Sequence, residues 1–413
     1  MTEFPLGRVT GWLAASPGER AAALTRCLER IRTLDPQICA WVQVQPQLPA
    51  RKGRLSGIPF GVKDIVETAG LLTEYGSPLY RGRIGERDAA IVRDLRDCGA
   101  LLLGKTVTTE FAYRAPPPTR NPANLAHTPG GSSSGSAAAV AADMVPFTVG
   151  EQTLGSILRP ASYCGVTGFK PTYGVLSTEG VLPLARSLDT LGFFTQTPED
   201  MVALWEAMGH PAERAQEIVF GLSEDHEVEP PMDAQFRDCV ARLRAEGLAI
   251  RTIDIGLLIR RAVAAGRTVF LYEAARAHHV HWNERGSGLG DLADVVREGL
   301  GIAVETYRDA LQIIAGCRSQ AADAFAETPV VLTPAATGPA PAGFGSTGDP
   351  RMNAPWTTLG TPAISVPMPV GPCLPLGLQL VADRGQDALL LRQATFLANV
   401  LGRPSDPRDE PVG

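Results

Sequence analysis

Residues 128–141 read TPGGSSSGSAAAVA, and the architecture of the whole chain turns on how they are taken. As a flexible Gly/Ser linker they would divide the chain into separate units. As a rigid loop feeding a helix they would lie inside a single one. A linker calls for polar, solvated surroundings, yet Pro129 precedes the run and AAAVAA follows it directly. That is the profile of a loop entering a packed helix, with backbone N–H groups offered at the helix start. The rigid reading is the better one.

Working outward, Ser16-Pro17-Gly18-Glu19 followed by RAAALTRCLERIRTL predicts a helix with a serine N-cap, and Asp35-Pro36 is expected to end it. CAWVQVQP alternates like a strand, and RLSGIPFGVKDIVETAG reads as short strands broken by Gly and Pro. RDAAIVRDLRDCGALLLGKT is a helix followed by a buried strand. After the Gly/Ser run, AAAVAADM predicts a short helix and VPFTVGEQ a strand. A helix-rich, charged region spans about 198–326. The tail then returns to the strand-like pieces PVVLTPAA, TPAISVPMPV and LGLQLVAD. Strands alternating with helices predict an α/β fold: a single large domain over 1–413, with a central mixed β-sheet covered by helices on both faces.

Bulk properties narrow the function. With 44% hydrophobic and 20% charged residues, 413 residues can enclose a large core. A net charge of −6 argues against nucleic acid or an anionic membrane as partner. There is no apolar run long enough for a membrane span, and MTEFPLGRVTGW lacks a secretory pattern. The seven cysteines form no CxxC and are expected as free thiols in a cytoplasmic protein. His278, His279 and His281 cluster as HHVH, but no Cys or carboxylate at ligand spacing joins them, so neither a metal nor another cofactor is expected. Only four lysines occur (Lys52, Lys63, Lys105 and Lys170) among 38 basic residues. Lysine can lose its proton when desolvated and arginine in practice cannot, so the retained lysines draw notice.

Three chemistries compete for the Gly/Ser loop. A phosphate loop needs GxxxxGK[ST], and no lysine follows Gly135. GSSSG at 131–135 fits GxSxG, which would make Ser133 a nucleophile, but it lacks a convincing downstream acid and histidine. The third reading draws on GEQTLGSILRPASYCGVTGFKPTYG at 150–174, where Thr153-Leu154-Gly155 precede Ser156 in an expected tight turn. Such a turn can aim several backbone N–H groups at one point, as an oxyanion requires.

Taken jointly, GIPFGVKDIVET around Lys63, PGGSSSGSAAAVAA around Ser132 and GEQTLGSILRPASYCGVTGFKPTYGVLS around Ser156 resemble the amidase signature family. SLDTLG at 187–192, GTPAISVP and PLGLQLVAD extend the likeness over roughly residues 50–195 and 329–383. The resemblance implies an amidohydrolase with a Ser–cis-Ser–Lys triad. Ser156 matches the nucleophile, Ser132 the serine after a cis peptide bond, and Lys63 the general base. Backbone N–H groups of Thr153, Leu154 and Gly155 would form the oxyanion hole. A buried Lys63 without a carboxylate partner would have a depressed pKa and accept the Ser156 proton through Ser132. The region 50–195 is then the signature core, 198–326 a substrate-shaping region and 329–383 the returning strands.

Departures from the family pattern bear on substrate. Leu154 stands where the family usually has a small residue, so either its φ is strained or its side chain projects into the substrate space; the second is expected. Gln152 replaces a frequent Asp. Arg159 is either a structural tie or a grip on a substrate carboxylate. Malonamidase, a short member of the family, carries an arginine at the matching place. The expected substrate is therefore a small amide, with a carboxylate favoured. The alternatives are a carbamate- or urea-type substrate (allophanate or an aryl carbamate), a glutaminase-like amidotransferase component, and a catalytically inactive scaffold. By family analogy alone, a homodimer is a further expectation.

Overall fold

The computed structural model describes residues 5–211, 216–224 and 226–402. Its strands are β1 (Trp41–Gln47), β2 (Pro59–Lys63), β3 (Leu101–Thr106), β4 (Phe147–Gln152), β5 (Thr167–Lys170), β6 (Thr190–Thr195), β7 (Phe220–Leu222), β8 (Ile250–Thr252), β9 (Val330–Pro334), β10 (Ala363–Pro367) and β11 (Gly377–Ala382). All belong to one sheet in the order β1-β3-β2-β4-β6-β5-β10-β11-β9-β7-β8. The sheet is mixed: β2 runs parallel to β3 and β4, and β7 to β8 and β9, while the remaining neighbours are antiparallel.

Alternation along the strands creates two cores. Leu102 and Phe193 join Phe60, Val62, Phe147 and Val149 in one. Their chain neighbours Leu101, Leu103 and Phe194 join Ala137–Ala139 in the other. Successive side chains of a strand point to opposite faces, so both faces of the central sheet are buried, as expected for an α/β protein. No helix of the described residues is long and apolar enough to cross a membrane.

The helices are α1 (Val9–Ala14), α2 (Pro17–Ile38), α3 (Ala90–Asp97), α4 (Ser134–Ala141), α5 (Leu158–Cys164), α6 (Pro198–Ala207), α7 (Pro230–Ala245), α8 (Gly256–Arg285), α9 (Asp291–Leu300), α10 (Val304–Glu327), α11 (Ala354–Leu359) and α12 (Asp387–Leu401). α2 opens with the expected capping box: Ser16 Oγ accepts from Glu19 N, and Glu19 Oε2 accepts from Ser16 N. It does not stop at Asp35-Pro36 but continues to Ile38, where Cys39 takes a left-handed φ of 57°. A proline in a final turn removes only one intrahelical bond, so the helix absorbs it.

The Gly/Ser run is no linker. Residues 129–140 are buried. A Cβ on Gly135 would lie 2.1 Å from Ala40 O and 2.4 Å from Val107 N, so α4 approaches its neighbours at backbone distance. Two expectations need correction elsewhere. Of RLSGIPFGVKDIVETAG only Pro59–Lys63 forms a strand; Val66 and Ala69 make isolated bridges. The region 198–326 is helix-rich but also supplies β7 and β8 to the same sheet. These strands have three residues each, too few to show an alternation.

Candidate active site

Three chain segments converge at the C-terminal ends of β2 and β4. Lys63 is the last residue of β2, fully buried, and donates from Nζ to Ser132 Oγ at 2.8 Å. Ser132 lies just before α4, and the Gly131–Ser132 peptide is cis, as the resemblance implies. β4 ends at Gln152, and residues 153–157 then turn into α5, which begins at Leu158.

Gln152 staples that turn. Its Oε1 accepts from Ile157 N (2.9 Å) and Leu158 N (3.1 Å), and its Nε2 donates to Thr357 Oγ1 (2.9 Å). Thr357 in turn donates to Leu154 O, and Arg159 N to Gly155 O. The backbone N–H groups of Thr153, Leu154, Gly155 and Ser156 have no acceptor among the described residues. All four residues line a cavity of about 540 Å³. Ser156 is 8% exposed, whereas Ser132 and Lys63 lie behind the wall at 1% and 0%. Leu154 does not take a positive φ, and its side chain belongs to the cavity wall, as expected of a residue that narrows the substrate space.

One expectation about Lys63 fails. It has a carboxylate partner: Glu151 Oε2 lies 2.9 Å from Nζ, and Glu151 O accepts from it at 3.1 Å. Burial pulls the Lys63 pKa below that of an ordinary lysine, while the charge and hydrogen bond of Glu151 pull it back up. The contact joins the ends of two strands 88 positions apart, so spacing did not reveal it. The available signal was a carboxylate in FTVGEQ, a strand buried along its whole length. Glu151 Oε1 also accepts from Thr153 Oγ1 (2.9 Å), which lies 2.8 Å from Asp189 Oδ1. Burial, and then the nearby Glu151, push Asp189 up to about 7.

Arg159 makes the structural tie. Its Nε donates to Thr347 O (2.8 Å) and its Nη2 to Gly131 O (2.6 Å), tying the cis loop to the 347 segment. Its Nη1 is buried without a partner, and the residue lines the cavity. Burial lowers the Arg159 pKa, Tyr163 and Asp349 oppose this, and exposed Arg114, which shares the cavity with Asp349, adds to the lowering. On the wall from α8 and α9, Glu298 is paired with Arg267, and Asp294 with Arg297.

The remaining candidates stay apart. Ser133 Oγ is buried and donates to Glu151 O, so it supports β4 and is not a cavity residue. In the HHVH cluster, His278 contacts His281 and packs on Phe111, and His281 meets the Tyr80 hydroxyl. No group of three His, Cys, Asp or Glu side chains with metal-binding geometry occurs among the described residues.

The family model described as Amidase matches residues 22–391. The chain is 30% identical over 442 residues to the glutamyl-tRNA(Gln) amidotransferase subunit of Thermotoga maritima, covering 92% of each. It is 33% identical over 442 residues to the corresponding protein of Geobacter metallireducens, covering 89% of this chain and 91% of the relative. Among solved structures, one described as an amidase has a TM-score of 0.84 at 29% identity, covering 93% of this chain and 96% of that one. The Thermotoga maritima protein has a TM-score of 0.83 at 27% identity, covering 96% and 95%.

Proposed function

The chain belongs to the amidase family and is an amidohydrolase, and from that premise we propose that it cleaves a small amide carrying a carboxylate, through an acyl-enzyme on Ser156. The carrying observation is the Lys63–Ser132 hydrogen bond directly behind a cavity wall whose backbone donors are unused. In this reading Ser156 Oγ attacks the amide carbon and its proton passes to Ser132, while the Ser132 proton moves towards Lys63. Unpaired N–H groups of the 153–156 turn hold the oxyanion. The proton returns to the leaving nitrogen, the C–N bond breaks, and water releases the acid from Ser156. Arg159 Nη1 takes the substrate carboxylate, because a buried guanidinium with a free donor beside the nucleophile favours an anion.

The test is labelling by a fluorophosphonate, followed by a release assay over carboxylated, neutral and aryl amides and carbamates. Labelling is expected in the parent and lost in Ser156→Ala; an unlabelled parent refutes the acyl-enzyme. Turnover confined to neutral amides refutes the carboxylate preference. A second reading rests on the glutamyl-tRNA(Gln) amidotransferase relatives, matched over nearly their whole length. It expects glutamine as ammonia donor and a co-purifying partner protein. Glutamine hydrolysis that rises when that partner is added would favour it.

A further inference from the structure

Lys63 Nζ has three hydrogens, and the structure gives it three acceptors: Ser132 Oγ, Glu151 O and Glu151 Oε2. An ammonium so placed has no lone pair facing Ser132. To receive a proton from Ser132, Lys63 must release one of its own. A hydroxyl and a backbone carbonyl cannot keep it at ordinary pH; a carboxylate can. Only Glu151 Oε2 answers that description.

The far side of Glu151 is built to match. Thr153 Oγ1 lies within hydrogen-bond distance of both Glu151 Oε1 and Asp189 Oδ1, but it has one hydrogen to give. That single hydrogen cannot serve both carboxyl groups in full. Asp189 is fully buried, and burial and then the nearby Glu151 push it up to about 7, against the hydrogen bonds from Ala185 N, Thr153 Oγ1 and Leu184 N. Asp189 is thus the carboxyl of the two that its surroundings draw towards the protonated form, while Glu151 has Lys63 Nζ beside it at 2.9 Å. The other nearby carboxylate, Asp64, lies 3.4 Å from Lys105 Nζ, and Arg159 is turned to the carbonyls of Thr347 and Gly131.

We propose that the working base is the Lys63–Glu151 pair, with Glu151 as a positioning residue that takes the Lys63 proton while Lys63 takes that of Ser132. This rests on the acyl-enzyme reading above and deepens it. As the Ser156 Oγ–carbon bond forms, the Ser156 hydrogen goes to Ser132 Oγ and the Ser132 hydrogen to Lys63 Nζ. One Lys63 hydrogen goes to Glu151 Oε2. The pair gains one positive charge as the substrate gains one oxyanion, and the reverse transfers return the proton to the leaving nitrogen. A further proton on the pair leaves Glu151 unable to take one from Lys63, and the relay stops.

The experiment is the pH profile of fluorophosphonate labelling at Ser156, which needs no knowledge of the substrate. In Glu151→Gln the amide cannot keep a proton, so labelling waits for neutral Lys63. The acid limb is expected to move up by at least one pH unit, with at least a tenfold lower rate at pH 7 that recovers on the alkaline side. An acid limb that is unmoved or moves down overturns the proposal. If Glu151→Gln does not fold, Glu151→Asp decides: its carboxylate is one methylene further from Nζ, so the rate at pH 7 should fall at least fivefold with the parent acid limb kept. Any smaller loss, or a moved limb, overturns it. A parent that is not labelled, or is labelled equally in Ser156→Ala, refutes the acyl-enzyme reading instead.

Discussion

Replacing Arg159 by alanine tests the proposed carboxylate grip apart from the structural tie, because the two carry different costs. Two buried carbonyls, Thr347 O and Gly131 O, lose their donors. Leaving a buried acceptor unpaired costs about 1–3 kcal/mol, so the loss of stability is about 2–6 kcal/mol, a large part of the roughly 5–15 kcal/mol of a typical domain. The substrate effect is separate. A hydrogen bond to a charged partner contributes about 1.5–3 kcal/mol, which at about 1.4 kcal/mol per decade is a roughly ten- to hundredfold loss of kcat/KM. The assay compares two amides of equal length, one ending in a carboxylate and one in a methyl group, with active sites counted by fluorophosphonate titration so that only folded enzyme is scored. The loss should fall on the carboxylated amide and leave the other within about threefold. Arg159→Lys should recover part of it, since a lysine keeps the charge but not the fork that reaches both carbonyls. Equal losses on both amides refute the carboxylate grip and leave Arg159 as a tie between loops.

Two further perturbations probe the turn and the buried charges. A Cβ on Gly155 would lie 2.7 Å from Asn353 Oδ1, and Asn353 is held by Ala335 O and Gln379 Oε1 through its amide nitrogen, so the turn must yield. Gly155→Ala should lower labelling and amide turnover about a hundredfold or more, the usual effect of displacing one oxyanion donor, and rates within threefold of the parent would contradict the oxyanion role. Burial lowers Lys170 to about 7, opposed by Asp387, while the unfolded chain keeps an ordinary lysine near 10.5. The unfolded state thus binds the proton more tightly, and this contribution to stability falls as pH drops from about 10.5 to about 7. Lys170→Met should flatten that part of the stability profile in denaturant titrations; an unchanged slope would count against a neutral Lys170.

Much of the site was legible because its residues answer backbone demands that leave a local trace. The approach of α4 to within 2.1 Å of Ala40 O from a would-be Cβ requires Gly135, and the crowding at Gly155 likewise excludes a side chain. Such positions produce the Gly- and Ser-rich strings that mark the segments around Ser132 and Ser156. β9 was legible as an apolar run and β4 within VPFTVGEQ, and both are buried throughout. Glu151 was not, because its partner Lys63 comes from another strand and one carboxylate in a buried run has many explanations. β7 and β8 were missed for a different reason: three-residue strands at the edge of the sheet carry too little pattern to stand out from the helices around them.

The scarcity of lysine had physical content, although it did not by itself name the base. Three of the four lysines, Lys63, Lys105 and Lys170, are fully buried, and burial lowers the pKa of each. An arginine at these places would keep its charge in the core. Lys105 comes close to duplicating the surroundings of Lys63: it has a carbonyl (Val66 O, 2.5 Å), a hydroxyl (Thr73 Oγ1, 3.0 Å) and a carboxylate (Asp64 Oδ1, 3.4 Å). What sets Lys63 apart is therefore not desolvation or a nearby carboxylate alone. Its hydroxyl partner Ser132 belongs to the cis loop that Arg159 of the cavity wall holds at Gly131 O, and its carboxylate partner Glu151 accepts from Thr153 of the same wall. In the proposed mechanism these neighbours make the difference: Ser132 relays the proton of Ser156 to Lys63, and Glu151 holds the proton that Lys63 gives up.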